Sequence, residues 1–504
     1  MSKSDANWRR RATTRQCAMR ARARDGRRTA RWTVRSSAPG RRRRVLAPTR
    51  ATRANVDDEA VRWDVVRRRA ETVVNKALNG ADAAKALRKA LRGELNNEER
   101  RAIARCALGC EVWRIRLAAE RASALRSETG DVLATYGRFD RNDAAGALVF
   151  TYWLRDRGGS GPTPGKEEMF RMYGDGVDAC AAATEEDTVE WSTDGAMKIS
   201  ELSAIPVPLA EMFVRDYGDD EALRLARAMN EPGPVMCRAN VARCSVEECA
   251  ERLEQDGLKI APARFATHAF ALVNGAPANG GIFGVNAWRE GWFEVQDEGS
   301  QLIVAALEAK AGERVLDACA GNGGKTLAIA AEMKFGEVCV FDIDRRRLAH
   351  LEANAERAGS RDMVTTVQGT SLQDLAPQSF DAVLVDAPCS SVGALRRTPS
   401  LRHMHDDPNE LAKIQLGILR EAAALVKPGG RLVYATCSVL SFENHEVVRA
   451  FESEFADIYE PLPFDDAFIA ASRERDREHE RSLLPHLHGT DGFFIARFRN
   501  RSNF

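Results

Sequence analysis

Apolar positions recur every three or four residues between about 59 and 135, in "EAVRWDVVRRRAETVVNKAL" and "NEERRAIARCALGCEVWRIRLAAERASAL". That period predicts amphipathic helices. Asn97, followed by Glu98 and Glu99, marks a helix start, because acids suit the unpaired N–H groups of a first turn. Gly and Pro then break the pattern in "RDRGGSGPTPGKEE" (155–168), and "AAATEEDTVEWSTDGAMK" (181–198) is polar throughout. From Ile205 an amphipathic helical pair resumes, and "VMCRANVARCSVEECAERLEQDGLKI" reads as strand, turn and helix. From Gly291 short apolar runs alternate with helical stretches: "ERVLDACAGNGGKTLAIAAEM", "GEVCVFDIDRRRLAHLEANAERAG", "MVTTVQG", "FDAVLVDAP", "PNELAKIQLGILREAAALV", "GRLVYATCS" and "NHEVVRAFESEF". Such a βαβ series predicts a mainly parallel sheet covered on both faces. "DGFFIARFR" supplies a last strand, and the charge-rich "ASRERDREHERS" (471–482) before it reads as a solvated helix or loop.

These patterns divide the chain into a basic segment 1–55, a helical domain 56–155, a linker or insert 156–200, a small α+β subdomain 201–290 and an α/β domain 291–504. A length of 504 residues accommodates that many units, and 44% hydrophobic with 29% charged residues is an ordinary globular composition. No apolar run reaches the roughly 18 residues of a membrane span. The eleven cysteines form no CxxC pair, and Cys106 and Cys110 have no nearby partner pair for zinc. Reduced thiols and no metal are therefore expected.

Charge changes the picture at one end. Residues 1–55 hold 17 Arg and one Lys against Asp5 and Asp25, a net of +16, which leaves −15 on the remainder. An Arg-rich, acid-poor segment with scattered Ser and Thr reads as a disordered organelle transit peptide, with chloroplast favoured over mitochondrion. A basic nucleic-acid-binding arm and a nuclear signal are the competing readings.

Candidate chemistry gathers where strands end. "DACAGNGGKT" (317–326) turns between a strand and a helix, and Gly321, Gly323 and Gly324 let a ligand approach the main chain. A phosphate loop requires a glycine where Cys319 stands, and a nicotinamide dinucleotide loop requires a third glycine that is missing. Asp342, 25 residues after Asp317, is spaced to hold ribose hydroxyls of S-adenosylmethionine or a dinucleotide. Two more strands run into thiols, "DAPCS" at Cys389 and "ATCS" at Cys437. A cysteine at the end of a buried strand is ordinarily packing. Two of them, with Asp386, at the edge that carries the glycine turn point instead to chemistry.

With "DACAGNGGKT", "VFDID", "DAPCS", "ATCS" followed by "FEN", "GWFEVQDEGSQ" and "DGFFIARF", the chain resembles the RNA cytosine-5 methyltransferases. Within them it looks most like the bacterial small-subunit ribosomal RNA methyltransferase B group (Sun/NOL/NOP2-type). The resemblance is strong over about 200–500, weaker over 59–150 and absent over 1–55. It implies a Rossmann-like class I S-adenosylmethionine methyltransferase domain with a mainly parallel seven-stranded sheet. An all-α NusB-like domain and a small RNA-binding subdomain would precede it. The implied roles are Cys437 as nucleophile on C6 of cytosine, Cys389 in the release step and Asp386 on the base's Watson–Crick edge. Lys325 would organise the site around Asp386 or Cys437. Cys319, Ala320, Gly321, Asn322, Gly323, Gly324, Lys325, Asp342, Thr370 and Asp386 would hold S-adenosylmethionine.

Two departures stand out. The family's Ala-Pro-Gly-Gly-Lys is here Gly321-Asn322-Gly323-Gly324-Lys325, a softer loop without proline. Where the family places an Asp near the adenine, "VQGTSLQD" offers Thr370 or Asp374. RNA, as the partner of an expected monomer, needs local basic residues on a chain that is acidic overall beyond residue 55. Arg396, Arg397 and Arg402 with His403 and His405, and Arg238 with Arg243, are the candidates. Small-subunit ribosomal RNA is favoured as substrate; transfer RNA, or a non-catalytic ribosome-assembly factor, are the alternatives.

Overall fold

The computed structural model describes residues 61–501, apart from 80–82, 127–148, 154–163, 165, 174–190, 274–280, 368, 370, 404–406, 466–467 and 469–475. The expected basic segment 1–55 lies outside the described residues, as do Thr370 and His405.

Helices α1 (Trp63–Leu78), α2 (Ala83–Ala90) and α3 (Asn97–Arg126) pack around Val66, Ala70, Val73, Ile103, Cys106, Cys110 and Trp153. Cys106 and Cys110 are thus core residues. Helix α3 begins at Asn97 because Asn96 caps it: Asn96 Oδ1 accepts the Glu99 N–H at 2.8 Å, and Glu99 Oε2 accepts the Asn96 N–H at 3.1 Å. Arg62 donates to the buried Glu99 at 2.7 Å and holds its carboxyl down at about 2.

The stretch read as a linker carries structure. It contains α4 (Lys166–Tyr173) and the start of α5 (Gly195–Ser203), which Asp194 caps by accepting the Met197 N–H. Helix α5 joins α6 (Val207–Tyr217) and α7 (Asp219–Ala228) in a triplet built on Ile199, Phe213, Leu225 and Met229. A small antiparallel sheet follows, in the order β2 (Ile260–Pro262), β3 (Ala269–Leu272), β1 (Met236–Ala239) and β4 (Phe293–Val295). Helix α8 (Val246–Gln255), closed by a Ser245–Glu248 capping box, buries Cys249 and Leu253 in that sheet's core. Because β4 pairs with β1, this layer ends at Val295, five residues beyond the boundary that the change of pattern implied.

The large sheet contains β5 (Arg314–Asp317), β6 (Glu337–Val340), β7 (Val364–Thr366), β8 (Phe380–Asp386), β9 (Val426–Thr436), β10 (Tyr459–Pro461), β11 (Glu480–Leu483) and β12 (Phe493–Asn500). Its order is β10-β12-β9-β8-β5-β6-β7, with β11 beside β12. Strands β5 to β9 are parallel, and β12 runs antiparallel to β9. Successive side chains feed opposite faces, as strand geometry requires. Val315, Ala382 and Leu384 pack under α9 (Glu298–Leu307), α10 (Gly324–Met333) and α11 (Leu351–Ala358). Leu316, Val383 and Val385 pack under α12 (Pro408–Ala423) and α13 (His445–Phe455).

The charge-rich insert departs most from the sequence reading. Its described end forms β11, whose Glu480, Arg481 and Ser482 are all buried. Internal pairing offsets the cost of burying them. Glu480 takes Arg477 at 2.6 Å, Asp476 accepts the Ser482 N–H at 2.8 Å, and His479 meets Glu452 at 3.0 Å.

Candidate active site

Register brings the chemistry to one edge. Asp317 lies opposite Val340 and Leu384, and Asp386 lies opposite Ala435. The carboxyl ends of β5, β6, β8 and β9 therefore open together, with Cys389 and Cys437 just beyond two of them. In open α/β sheets this edge is where ligands bind.

The glycine turn is held from below and from the side. Asp317 is buried and accepts from Thr326 Oγ1 at 2.7 Å, and burial pushes its carboxyl up to about 6. Asp342 is also buried; it accepts the Gly321 N–H and the Asp344 N–H, each at 2.8 Å. Arg347 approaches the same carboxylate at 3.3 Å. Without a proline, the turn still closes through the Gly323 N–H to Ala320 O bond at 2.8 Å. The three glycines do different work. Gly323 (φ 83°) is bare because a Cβ would stand 2.2 Å from Leu351 Cδ1, and at Gly321 (φ 56°) it would meet Arg347 at 2.8 Å. Only at Gly324, where α10 begins, is the space open. Helix packing thus explains Gly323, while Gly321 and Gly324 line the cleft.

The two thiols touch. Cys389 Sγ and Cys437 Sγ are 3.3 Å apart, and Cys437 Sγ lies 3.4 Å from Ser391 Oγ. Lys325 reaches from the first turn of α10 to Asp386 at 2.7 Å. Burial alone would lower its ammonium, but Asp386, with help from Cys437 and Asp317, outweighs burial and holds it above its ordinary value. The thiols diverge. The hydrogen bond from Cys389 lowers Cys437 against the effect of burial, with Ser391 and Lys325 assisting. Cys389 is pushed well up by giving that bond, by burial, by the neighbouring Cys437 charge and by Glu443. Ser391 sits at φ 57°, an uncommon conformation for a residue other than glycine, directly beside the thiols.

Two clefts meet at Cys319, Arg347 and Asp386. One, of about 520 Å³, runs from both thiols to an apolar slot of Phe341, Ile343, Leu372, Ile414 and Ile418 beside Asp342. The other, of about 390 Å³, lies against the small sheet and takes in Ala320, Gly321, Asn322, Gly324 and Lys325. The site residues foreseen in the sequence thus gather here, except that Gly323 lines neither cleft and Thr370 lies outside the described residues. Asp374 is occupied in a cap, accepting the Ser371 N–H at 3.1 Å, while Ser371 and Leu372 face the cleft.

Ile343, 88% exposed, went unnoticed in the sequence, although an apolar residue between Asp342 and Asp344 was a readable signal. Ser391 and Glu443 were given no role either, although Glu443 stands in the "FEN" that follows Cys437.

The arginines singled out for RNA serve the fold. Arg402 is buried and donates to Val112 O at 2.6 Å and Ala204 O at 3.0 Å. Arg396 donates to Gly489 O and Thr490 O, and Arg397 binds Asp297 at 2.5 Å and Asp491. Arg238 is buried against Gln296 at 2.9 Å, and Arg243 bonds Ala358 O at 3.3 Å. Buried backbone carbonyls need donors, and the long guanidinium side chains supply them.

A parallel sheet with one reversed strand, a glycine turn after its first parallel strand and a buried acid, Asp342, after its second are the features of a class I methyltransferase. The site fits S-adenosylmethionine: apolar residues for adenine, Asp342 for ribose and the Ala320–Lys325 turn for the amino-acid end. A model of the 16S rRNA methyltransferase RsmB/F family matches residues 304–499, and one of the RsmF/B-like ferredoxin-like domain matches 206–279. The probable ribosomal RNA small subunit methyltransferase B of Bacillus subtilis (strain 168) is 34% identical over 316 residues, 61% of this chain and 69% of its own length. The ribosomal RNA small subunit methyltransferase B of Salmonella arizonae is 34% identical over 276 residues, 54% of this chain and 61% of its own. The chain thus spans 61% to 69% of these relatives.

Among solved structures, a methyltransferase homolog protein from Pyrococcus horikoshii superposes with a TM-score of 0.52 at 28% identity, covering 61% of this chain and 100% of the other. NSun6 from Pyrococcus horikoshii, solved with SFG, gives 0.53 at 22% identity, with 60% and 100% covered. The chain belongs to the RsmB/F family of S-adenosylmethionine-dependent rRNA methyltransferases.

Proposed function

We propose that this protein methylates C5 of a cytidine in organellar small-subunit ribosomal RNA through a covalent bond from Cys437 to C6. The observation that carries the reading is the thiol pair, 3.3 Å apart, in one cleft with Asp386 and Asp342. C5 of cytosine is a weak nucleophile, and a thiolate on C6 makes it enamine-like. A free thiol near pKa 8.5 is only a few per cent ionised at neutral pH, so the lowered Cys437 is the better attacker.

Cys437 gives its electron pair to C6, and the C5–C6 pair moves toward C5. Asp386, paired with Lys325, holds the base's Watson–Crick edge, where N3 takes up a proton from solvent as C6 is attacked and returns it on release. S-adenosylmethionine, when bound, would supply the electrophilic methyl group, which C5 takes with its electron pair while the sulfur leaves as the neutral thioether of S-adenosylhomocysteine. Release then requires the C5 proton to leave, the C5=C6 bond to re-form and sulfur to depart with its pair. Once Cys437 is a neutral thioether, the anion that kept Cys389 protonated is gone. Cys389 can then ionise and take the C5 proton. The base must leave any stack to reach this cleft, so single-stranded or distorted RNA is the expected substrate.

Small-subunit RNA as substrate is supported by the names of the relatives, and an organellar address, chloroplast before mitochondrion, by the Arg-rich residues 1–55. Cys389→Ala, incubated with total cellular RNA and cofactor, is expected to leave a denaturation-resistant protein–RNA adduct that disappears when Cys437→Ala is added. Sequencing the attached RNA reads the target. Organellar small-subunit RNA supports the proposal, transfer RNA replaces the substrate, and nuclear-encoded ribosomal RNA removes the organelle. No adduct from Cys389→Ala, with the wild type active, would reverse the thiol roles. No 5-methylcytosine from the wild type would leave the assembly-factor reading.

A further inference from the structure

Glu443 is fully buried two residues before α13, behind the thiols and outside the cleft. A carboxylate in such a place is costly unless hydrogen bonds fill its oxygens. Oε1 accepts the Ser390 N–H at 2.7 Å and Gln415 Nε2 at 3.1 Å. Oε2 accepts Ser390 Oγ at 2.6 Å and Ser438 Oγ. Ser390 follows Cys389 and Ser438 follows Cys437, so one side chain clips both cysteine loops. The serine hydroxyls lie 3.2 Å apart, close to the 3.3 Å separation of the sulfurs. The same hydroxyls accept the Val392 and Leu440 N–H groups, which shapes the turn beyond each thiol. Gln415 also donates to Pro388 O at 3.0 Å, and Tyr434 Oη donates to the Glu443 carbonyl, anchoring the clip to α12 and β9.

We propose that Glu443 is a positioning residue that sets the spacing and the chemical asymmetry of the Cys389–Cys437 pair by holding Ser390 and Ser438 together. The inference rests on the reading of the two thiols as the reacting groups. The charge works in the same direction as the geometry, since Glu443 helps to keep Cys389 protonated.

The variants separate the two contributions. In Glu443→Gln the carbonyl can keep the Ser390 N–H and Gln415, and the serine hydroxyls can rotate to accept from the amide. That variant removes charge and keeps the clip. Glu443→Ala removes both. Ser390→Ala with Ser438→Ala cuts the clip and leaves the carboxylate, so it decides the matter if Glu443→Ala fails to fold.

The first readout is iodoacetamide alkylation of Cys389 and Cys437 against pH, followed by peptide mass spectrometry without RNA or cofactor. In the wild type Cys437 should react at lower pH than Cys389. Glu443→Gln should speed Cys389 a few-fold near neutral pH, since one of the influences that hold it protonated is removed. The serine double variant should change the order or spacing of the two reactions. The second readout is turnover: Glu443→Ala and the double variant should lose on the order of 10²-fold in kcat, the cost of misplacing a reacting group by about 1 Å. KM for S-adenosylmethionine should hold, and Glu443→Gln should recover most of the loss. Unchanged alkylation in Glu443→Gln and in the double variant would overturn the inference, as would wild-type turnover in the double variant. A wild type that makes no 5-methylcytosine, with no adduct from Cys389→Ala, would overturn the reading of the thiols instead, whatever the alkylation order.

Discussion

Lys325 and Asp317 stand eight residues apart, on either side of the glycine turn, yet they report on different quantities. The Lys325 ammonium favours the Cys437 thiolate, so Lys325→Met should raise that thiol. The acidic limb of the rate of adduct formation should move to higher pH. Roughly tenfold should be lost near pH 7 and largely regained near pH 9. A uniform loss at every pH would assign Lys325 to binding alone.

Asp317 concerns stability. Its carboxyl is raised from 3.8 to about 6 by burial, so between those values the native state holds a proton that the unfolded chain has lost. The stability linked to it is present below pH 4 and disappears as pH rises through 6. Denaturant melts of the wild type and Asp317→Asn should therefore diverge between pH 4 and 6. The variant should gain on the order of 3 kcal/mol relative to wild type and then hold level. A difference independent of pH would mean that burial does not govern this group.

At the scale of elements, the arginines of the loop after Cys389 join pieces distant in sequence. Arg402 ties its 3₁₀ turn to α3 at Val112 O and to the end of α5 at Ala204 O. Arg402→Ala should cost about 2–4 kcal/mol, because hydrogen bonds from a buried charge to carbonyls are strong and their loss strands the acceptors. The salt slope of RNA affinity should stay where it was. A phosphate contact would instead lower that slope by about 0.7, the value for a single strand, with little change in stability. The same logic explains why β11 was misread. A run such as "RERDREHERS" satisfies every rule for a solvated segment until its charges find partners on α13 and within the turn before β11.

Across the whole molecule, three layers converge on the thiol loops. Val392 and Leu395 after Cys389, and Val439 and Leu440 after Cys437, pack into the α5–α7 triplet. Asp216 accepts the Ser441 N–H at 2.9 Å, Tyr217 Oη donates to Val439 O, and Arg215 lies 3.9 Å from the Phe442 ring centroid. Small-sheet residues Met236 and Val295 complete the cleft on the far side of the glycine turn. Among the described residues no helix is long and apolar enough to cross a membrane.

The alternation of β5, β6, β8 and β9, the glycine turn and the thiols at two strand ends were legible in the chain, because local period and backbone need write them into neighbouring residues. So was the convergence of Asp342, Asp386, Cys389 and Cys437, since a parallel sheet brings all its carboxyl ends to one edge. Tertiary structure alone decided which arginines are buried, which glycine faces open space, how a charged run becomes β11 and that Glu443 joins two serines 53 and 5 residues away. Those outcomes depend on partners supplied by other elements. A charge or a bare glycine carries no mark in its own sequence of what will stand opposite it.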